Sequence, residues 1–494
     1  MRKLKLKSRY DAHSKMSDIR FLEEEIKVWL VSEERKLQIL AERYYAGKHD
    51  ILQRIRKTLN KDGNLVPNDK LPNNRIVDNQ FAIHVDKKAN YILGKPLTFS
   101  SGNDEYTKKL NKVFGPRAMR TFWMVGHGAT LCGLHWVYAY IKDDEMRFAS
   151  FPASEIMPEW ADAEHTELDC AVRFFTVEEY DENGNKIDVH KVQVFDGNGI
   201  TPFIWDGELK PDYDTPTEPY ITVTEPSGAV QGYNWDRLPL VPFKGNREEQ
   251  SILCRVKCIQ DAYNLLLSDF ANGMESSPFN TILVIKNAMG EDLGNLVEKI
   301  YKNGGVLVGT NFQGVESGVD TIEIKVNAEN YKTILELLKK AIIENMRSFD
   351  AKDERMSGNP NQMNIQSVYS EIDIDANAME TEFQASFEDL LWFVDKFLDN
   401  KGEGDYEDEP VEVIFNRDIL INEKESIENC IASMNILSEQ TVIEQHPWTK
   451  DVQKEMERRK AEQTEQKAAA DSYRTSFING RVDQAKGVTN NVAE

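Results

Sequence analysis

Few groups of side chains in this sequence combine the residue types and spacings that metal binding requires. Cys254 and Cys258 are one helical turn apart, but no two further ligands follow at the spacing of a zinc site. His127, Cys132 and His135 are close in sequence, yet their spacing also matches no common zinc site. We therefore interpret the two cysteines as packed thiols on a helix and the other three residues as structural.

Two acidic stretches contain carboxylates of the kind that hard cations prefer. Glu371, Asp373 and Asp375 alternate as magnesium ligands would, but an acidic start to the helix that follows explains them through the helix dipole. Residues 181–185, Asp-Glu-Asn-Gly-Asn, are similar to a calcium loop, but the glycine comes too early and the closing glutamate is missing. A hairpin turn is the better interpretation of that stretch.

The sequence also lacks the motifs of nucleotide hydrolysis and nucleophilic catalysis. No Gly-x-x-x-x-Gly-Lys-Ser/Thr loop occurs, and Gly126-His127-Gly128 is not placed between a strand and a helix as a dinucleotide loop would be. No Ser/His/Asp or Cys/His set stands out. We expect no catalytic site, no metal and no cofactor.

The composition is typical of a globular protein with an acidic surface. The 494 residues, 40% of them hydrophobic and 29% charged, suffice for roughly two to four domains. A net charge of −23 opposes tight binding to DNA, since Lys and Arg must neutralise the phosphates. Five scattered cysteines fit a reducing compartment. Neither the basic N-terminus nor the broken apolar stretch 123–141 has the pattern of a signal peptide or a membrane span, so we expect synthesis in the cytoplasm.

Hydrophobic periodicity predicts a helical first part and a strand-rich second part. Apolar residues at helical spacing predict helices over 17–46 and 75–93. Strand patterns occupy residues 134–224, with hairpin turns expected at Asp143-Asp144 and Asn183-Gly184.

Two long amphipathic helices are the most informative pattern. Apolar residues recur at steps of three and four over 246–272 and again over 327–350. The insert between them is predicted to hold a strand, a short helix and two more strands, at 281–285, 291–302, 306–308 and 321–326. This pattern predicts a stalk of two long helices with a small α/β module at its far end.

The C-terminal third is predicted to be mainly helical. A polar, irregular stretch at 351–362 precedes a helix that ends before Gly402-Glu403-Gly404-Asp405. A strand, short capped helices and a polar last helix are expected to follow, with the strand at 411–415, the caps at Asn422, Ser438 and Thr449, and the last helix at 450–470. The predicted fold class is α+β, mainly helical.

Several segments resemble, in order, the motifs of portal proteins from long-tailed phages of Gram-positive bacteria. Residues 44–51, Tyr-Tyr-Ala-Gly-Lys-His-Asp-Ile, resemble the family's Tyr-Tyr-x-Gly-x-His-Asp-Ile motif. Asp86, Tyr91 and Gly94-Lys95-Pro96 match its Asp-x-Lys-x-x-Tyr-x-x-Gly-Lys-Pro block. Further similar segments are Leu71-Pro72-Asn73-Asn74-Arg75-Ile76-Val77, Leu238-Pro239-Leu240-Val241-Pro242-Phe243 with Asn246, and Leu437-Ser438-Glu439-Gln440-Thr441 with His446-Pro447.

The resemblance implies a portal fold and supplies names for its parts. The stem is the pair of long amphipathic helices, the clip is the small α/β insert, and the tunnel loop is the polar stretch. The implied divisions are a wing at 1–235 and 373–410, a first stem helix with its lead-in at 236–274, a clip at 275–326, a second stem helix at 327–350, a tunnel loop region at 351–372, a helical crown at 411–470 and a flexible tail at 471–494.

The resemblance further implies a ring, typically of twelve copies, at one vertex of a phage capsid. Double-stranded DNA would pass through it during packaging and ejection. The implied partners are other copies of this chain, the terminase large subunit, the major capsid and scaffolding proteins and a head-completion protein. An acidic ring of this kind would let DNA pass without holding it.

Candidate channel residues follow from the same resemblance. Intersubunit salt bridging remains an equal or better interpretation for each single cation. Three cations, Lys332, Lys339 and Arg347, are expected to share roughly one face of the second stem helix, and Arg355 follows them. The polar candidates are Asn359, Asn361, Gln362 and Asn364. Two alternative functions stay open: an ATPase or nuclease of DNA packaging, and another minor head protein that shares only the wing-like motifs.

Overall fold

The computed structural model describes residues 18–59, 62–69, 71–213, 215–224, 229–276, 281–286, 318–323, 328–350, 352, 360–417, 423–449 and 452–467. The chain divides into two compact units, residues 1–349 with 371–418 and residues 350–370 with 419–494. Both helices and antiparallel sheets are present, so the chain is a mixed α and β protein, as the sequence predicts.

The described helices are α1 (Asp18–Leu30), α2 (Glu33–Tyr45), α3 (Gln80–Leu93), α4 (Asp104–Val113), α5 (Pro116–Cys132), α6 (Leu253–Ser276), α7 (Ala328–Asn345), α8 (Gln362–Asn400), α9 (Glu423–Ser433), α10 (Glu439–Glu444) and α11 (452–467). The described strands are β1 (Lys57–Leu59), β2 (Leu65–Pro67), β3 (Thr98–Ser101), β4 (Leu134–Lys142), β5 (Glu145–Pro152), β6 (Ile156–Trp160), β7 (Leu168–Tyr180), β8 (Lys186–Asp196), β9 (Gly199–Trp205), β10 (Leu209–Pro211), β11 (Ile221–Thr224), β12 (Val230–Tyr233), β13 (Leu240–Lys244), β14 (Thr281–Lys286), β15 (Gly318–Glu323) and β16 (Val411–Ile414).

The single helix expected over 17–46 is two helices, α1 and α2. Ser32 has an extended backbone, and its hydroxyl accepts a hydrogen bond from the Arg35 amide, so it caps α2 and ends the helical run. The hydrophobic spacing continues across the break, which is why periodicity alone did not show it.

Two antiparallel sheets form the strand-rich part of the first unit. One has five strands in the order β10-β9-β8-β7-β6, and the other has three in the order β13-β4-β5. The predicted turns are confirmed: Asp143 and Asp144 both have positive φ between β4 and β5, and Gly184 lies between β7 and β8. Asp181 accepts backbone hydrogen bonds from Asn183 and Asn185, as a hairpin turn requires.

An aromatic core joins α5, α8 and β13. The Phe387 ring centroid lies 5.0 Å from that of Phe122 and 5.2 Å from that of Phe243. All three rings are buried. A second core lies between α1 and the five-stranded sheet, where Phe21 and Ile26 pack with Val172 and neighbouring side chains. Burial of these large apolar surfaces provides the main driving force for folding the unit.

The Gly126-His127-Gly128 stretch lies inside α5, where close packing requires its two glycines. A Cβ on Gly126 would lie 2.0 Å from Leu93, and one on Gly128 would lie 2.0 Å from Nδ1 of His135. Residue 128 lies against the buried imidazole of His135, which is hydrogen-bonded to Ser150. The two glycines are therefore explained by the close packing of Leu93 and His135 against α5.

The two long amphipathic helices are α6 and α7, with β14 and β15 paired between them in sequence. Both helices are shorter than predicted. Helix α6 begins at Leu253 rather than at residue 246, and α7 ends at Asn345 rather than at residue 350. The expected helix at 291–302 and strand at 306–308 lie outside the described residues.

The third long helix begins earlier than predicted. Asn361 accepts a hydrogen bond from the Asn364 amide and caps α8, which then runs from Gln362 to Asn400. Residues 362–372, expected in an irregular tunnel loop region, are helical. The end of α8 agrees with the break predicted at residues 402–405, since Gly402 and Gly404 both have positive φ.

The C-terminal part matches expectation at one cap and differs at its boundary, while the expected cap Asn422 lies outside the described residues. Ser438 caps α10 by accepting from the Thr441 amide, as predicted. Strand β16, however, pairs with β3 of the first unit, so residues 411–418 belong to that unit and the second unit resumes at residue 419.

The burial of His135 predicts a pH-dependent stability. Burial lowers the pKa of His135 to about 3, whereas an unfolded histidine titrates near 6.5. The unfolded state therefore binds the proton first as pH falls, and the neutral imidazole's contribution is complete only above about pH 6.5. Between pH 8 and pH 5 we expect a loss of about 2 kcal/mol in the free energy of unfolding from this group. Denaturation of wild type and His135→Gln across that range measures it: the variant should show the shallower pH dependence, and equal slopes would contradict the prediction.

Candidate functional site

The helix pair α6 and α7 positions the candidate cations of the channel. The Phe270 and Tyr331 rings lie 5.2 Å apart between the two helices. Val256 on α6 and Ile342 on α7 are fully buried. The apolar stripes that the sequence predicts on both helices therefore pack in the structure.

Helix α6 also carries a buried polar stripe, which we call the polar ladder. Its members are four residues apart, so they lie along one side of the helix. Each is at most 1% exposed, although such polar side chains are usually found at the surface. The ladder consists of Gln260, Asn264, Ser268 and Asn272.

The polar ladder accepts hydrogen bonds from the backbone of residues 74–81, which lead into α3 and form its first turn. The donor amides are two or three residues apart. The pairs are Asn74 N to Asn272 Oδ1 at 2.7 Å, Ile76 N to Ser268 Oγ at 3.0 Å, Asp78 N to Asn264 Oδ1 at 3.1 Å and Phe81 N to Gln260 Oε1 at 3.0 Å. These bonds join α6 to the non-helical residues 74–79 and to the start of α3.

This arrangement corrects the expected helix over 75–93. Residues 75–79 are not helical, the Ile76 and Asp78 amides bond to the polar ladder, and α3 begins only at Gln80. Asn79 caps α3 by accepting from the Ala82 amide. The acceptors lie nearly two hundred residues away in sequence, which periodicity cannot reveal. The spacing of four between the ladder residues was the available signal.

The Tyr-Tyr-x-Gly-x-His-Asp motif packs against the same helix. The buried His49 ring stacks on Tyr44 at 4.4 Å, its Nε2 donates to the Tyr44 carbonyl, and its Nδ1 accepts from Asn264. Burial lowers the pKa of His49, in accord with a neutral ring that both donates and accepts. Lys257 bonds Asp50 and Asp261, each at 2.7 Å. The motif therefore fixes α2 to α6.

Lys332 and Lys339 lie seven residues apart on α7, hence on nearly the same side of it. The Lys332 side chain is 75% exposed, and its ammonium lies 3.8 Å from Glu336. Lys339 is half-buried and forms no ion pair with the described residues. These two candidates therefore lie on one side of α7, about two helical turns apart.

Arg347 does not share that helix face, contrary to expectation. It follows the end of α7 with a φ of 45°, in the left-handed region, and its guanidinium lies 2.8 Å from Asp375. Burial alone would raise the pKa of Asp375, but Lys88 and Arg347 lower it below its ordinary value. Arg347 is thus held in an ion pair within one subunit.

The remaining candidates cluster at the start of α8 or lie outside the described residues. Asn361 is the cap of α8, the Gln362 amide donates to Glu425, and Asn364 is in the first helical turn. Arg355 and Asn359 fall in the part of the chain that is not described.

The alternating carboxylates are interior residues of α8 rather than an acidic helix start. Asp375 pairs with Lys88 and Arg347. Asp373 accepts from Tyr91 at 2.5 Å and pairs with Arg417 at 2.7 Å. Cations and a phenol thus satisfy two of the three carboxylates.

The other metal candidates are dispersed. His127 pairs with Asp86, the thiol of Cys132 points to the Gln38 carbonyl, and His135 bonds Ser150. Cys254 and Cys258 are free and lie on α6 as expected, but both are exposed, so the expectation of packed thiols is wrong. Within the described ranges, no three His, Cys, Asp or Glu side chains form a group that could hold a metal ion. None of the helices described is both long and apolar enough to span a bilayer.

The polar ladder predicts a large cost for removing one member. Asn264→Ala leaves the Asp78 amide and His49 without their buried partner, so we expect the free energy of unfolding to fall by about 2–3 kcal/mol. Chemical denaturation measures the change, with Cys258→Ala on the exposed side of α6 as the control expected to stay within about 0.5 kcal/mol. Equal, small effects of both substitutions would show that the ladder contributes little.

Comparison with known proteins agrees with the motifs. The family model "Phage portal protein, SPP1 Gp6-like" matches residues 32–469. The portal protein of Clostridium phage phiCD119 is 25% identical over 434 residues, covering 85% of this chain and 91% of that protein. The portal protein of Bacillus phage SPP1 is 23% identical over 427 residues, covering 84% and 81%. A chain in the neck of an empty gene transfer agent particle aligns with 74% of this chain and 88% of its own, with 12% identity and a TM-score of 0.41. Because the family model spans most of the sequence, this chain belongs to the SPP1 Gp6-like family of phage portal proteins.

Proposed function

We propose that this chain forms a ring at one vertex of a phage capsid, through which double-stranded DNA enters and leaves. The observation that carries the proposal is the family match over residues 32–469. The number of subunits expected is twelve. The proposed partners are the terminase large subunit, the major capsid and scaffolding proteins and a head-completion protein, and the location is the virion.

Exposed apolar side chains on the stem helices support association of several copies. Leu265 and Met274 on α6 are 41% and 54% exposed, and Ile334 and Leu337 on α7 are 44% and 61% exposed. Helices in a single subunit leave these side chains in water, and contact with a neighbouring copy would cover them.

Ring formation is tested by electron microscopy of the purified chain. We expect rings with a central hole, and monomers or irregular aggregates alone would contradict the proposal. Leu337→Asp should lower the ring fraction at least about tenfold, because a carboxylate would be buried at the contact. Ile187→Asp, at an exposed site on β8, is the matched control and should assemble normally.

The charges of the described residues support a channel wall that binds DNA weakly. The chain carries a net charge of −23, so phosphate contacts must come from a few local cations. Lys332 and Lys339 are the strongest candidates, since they share one side of α7 while Arg347 is paired with Asp375. Asn361, Gln362, Asn364, Arg355 and Asn359 remain proposed contacts of the same channel.

Charge reversal tests the two lysines. Lys332→Glu with Lys339→Glu should leave ring formation intact and lower packaged DNA about tenfold at low salt, because two sites of phosphate attraction become repulsive. The control is Lys36→Glu with Lys186→Glu, which makes the same change in net charge at exposed wing positions. Packaging is measured as nuclease-protected DNA. Equal losses in both double variants would mean that total charge, not a channel contact, is responsible.

We assign no catalytic step to this chain. The ring would act as a passive conduit and docking platform, while the energy for DNA movement would come from a separate motor. A nucleotide-hydrolysis assay on the purified ring tests this point, and turnover that persists through purification of the ring would favour a packaging enzyme instead.

A further inference from the structure

A cavity of about 430 Å³ lies within the first compact unit. Its wall contains the residues before α6, the first turn of α6, part of α8 and side chains from α3 and α5. Four cations against three carboxylates leave this wall slightly positive, although the chain as a whole carries −23. The charged residues are Lys88, Arg247, Arg255, Arg347, Glu248, Asp375 and Glu382.

Three of these cations surround one carboxylate, Asp375. Lys88 Nζ lies 2.6 Å from its Oδ2, and the Arg347 guanidinium lies 2.8 Å from its Oδ1. The Arg255 guanidinium lies 3.6 Å from Oδ2, which is too far for a hydrogen bond. Each oxygen of Asp375 therefore already has a hydrogen-bonded cation, and Arg255 is a third cation held only by a longer contact.

The excess of positive charge acts on the buried member of this group. Burial lowers the pKa of Lys88, Asp375 opposes this effect, and the two nearby guanidinium groups add to it. Glu371 stabilises the charge of Arg347. Like charges this close repel one another, and a second anion beside Arg255 would reduce the repulsion.

The Arg255 guanidinium is available to such an anion. The side chain is 42% exposed, and none of the described residues accepts a hydrogen bond from the guanidinium. Glu248 and Glu382 line the same cavity, but within the described structure they pair with none of its cations. A guanidinium presents five N–H donors, and a carboxylate accepts two of them side by side.

The position of the cavity on α6 indicates where this anion comes from. Cys254 lines the cavity and is exposed, and the exposed Leu265 lies three helical turns further along, on the same side of α6 and about 16 Å away. A neighbouring copy that covers Leu265 and continues along α6 reaches the cavity. The chain contains 83 Asp and Glu against 60 Lys and Arg, so such a neighbour presents carboxylates more often than cations.

We propose that this cavity is a docking site for a carboxylate of the neighbouring copy in the ring, with Arg255 as the residue that binds it. This inference rests on the proposed ring and adds a specific polar contact to its apolar one. Lys88 and Arg347 hold Asp375, so Arg255 remains for the partner.

The salt dependence of assembly tests the ion pair. Arg255→Gln should lower the ring fraction at least about fivefold at low salt, because every contact between copies loses an ion pair. The difference should shrink at high salt, where screening weakens the pair in wild type. Arg237→Gln is the matched control, since that arginine is 56% exposed and lies 3.9 Å from a single carboxylate, Asp389. Equal ring fractions of wild type and Arg255→Gln at every salt concentration would overturn the proposal.

Cross-linking identifies the occupant directly. Arg255→Lys keeps the positive charge and supplies an amine, which a carbodiimide joins to a carboxylate in contact with it. Rings assembled from a mixture of isotope-labelled and unlabelled chains distinguish links between copies from links within one chain. We expect position 255 of one copy to be linked to an Asp or Glu of another, at a yield at least about fivefold above that of the control Arg237→Lys. Links to Asp375 of the same chain alone, or equal yields at both positions, would contradict the proposal.

Two further outcomes separate the alternatives. Rings whose bound inorganic phosphate falls in Arg255→Gln, and which give no link between copies at position 255, would identify a free anion as the occupant and overturn the carboxylate. Wild-type chain that forms no ring at any salt concentration would contradict the proposed function itself. Wild-type rings without the link at position 255 would contradict only this docking site.

Discussion

Hydrogen bonds between the polar ladder and residues 74–81 set how α6 sits in the first unit. A buried amide without an acceptor costs about as much as a lost hydrogen bond, so each ladder side chain must face its amide. The rotation of α6 about its axis and its position along residues 74–81 are therefore both fixed. With the ladder turned inward, Cys254 and Leu265 face outward, where a neighbouring copy could contact them.

The parts of the fold that the sequence predicts are those whose causes are local. The hairpin at Asp143-Asp144 and the cap at Ser438 depend on residues within four positions of each other. The non-helical backbone of 75–79 bonds instead to acceptors in α6, and helical periodicity in that stretch was misleading. The early start of α8 is a local cap at Asn361 that the polar composition of the stretch concealed.

Residues that resemble family motifs turn out to position elements rather than carry chemistry. Tyr44 and His49 connect α2 with α6, while Lys88 and Tyr91 connect α3 with the end of α7 and with α8. For a protein whose proposed task is to shape a channel, such joints are the functional residues. Although His, Lys and Tyr occur in many catalytic sites, these residues form no Ser/His/Asp or Cys/His set, and their printed contacts join helices.

The same joints bear on the charge of the proposed channel. Cations placed at them are already matched by carboxylates: Arg54 with Asp269, Lys257 with Asp50 and Asp261, and Arg417 with Asp373 and Glu380. Such cations neutralise their partners and have little attraction left for phosphate. A chain at −23 thus uses part of its small supply of positive charge to hold helices together. In the proposed ring, the remaining acidic surface would repel DNA along its length, and a duplex would meet few sites that could stop it from moving.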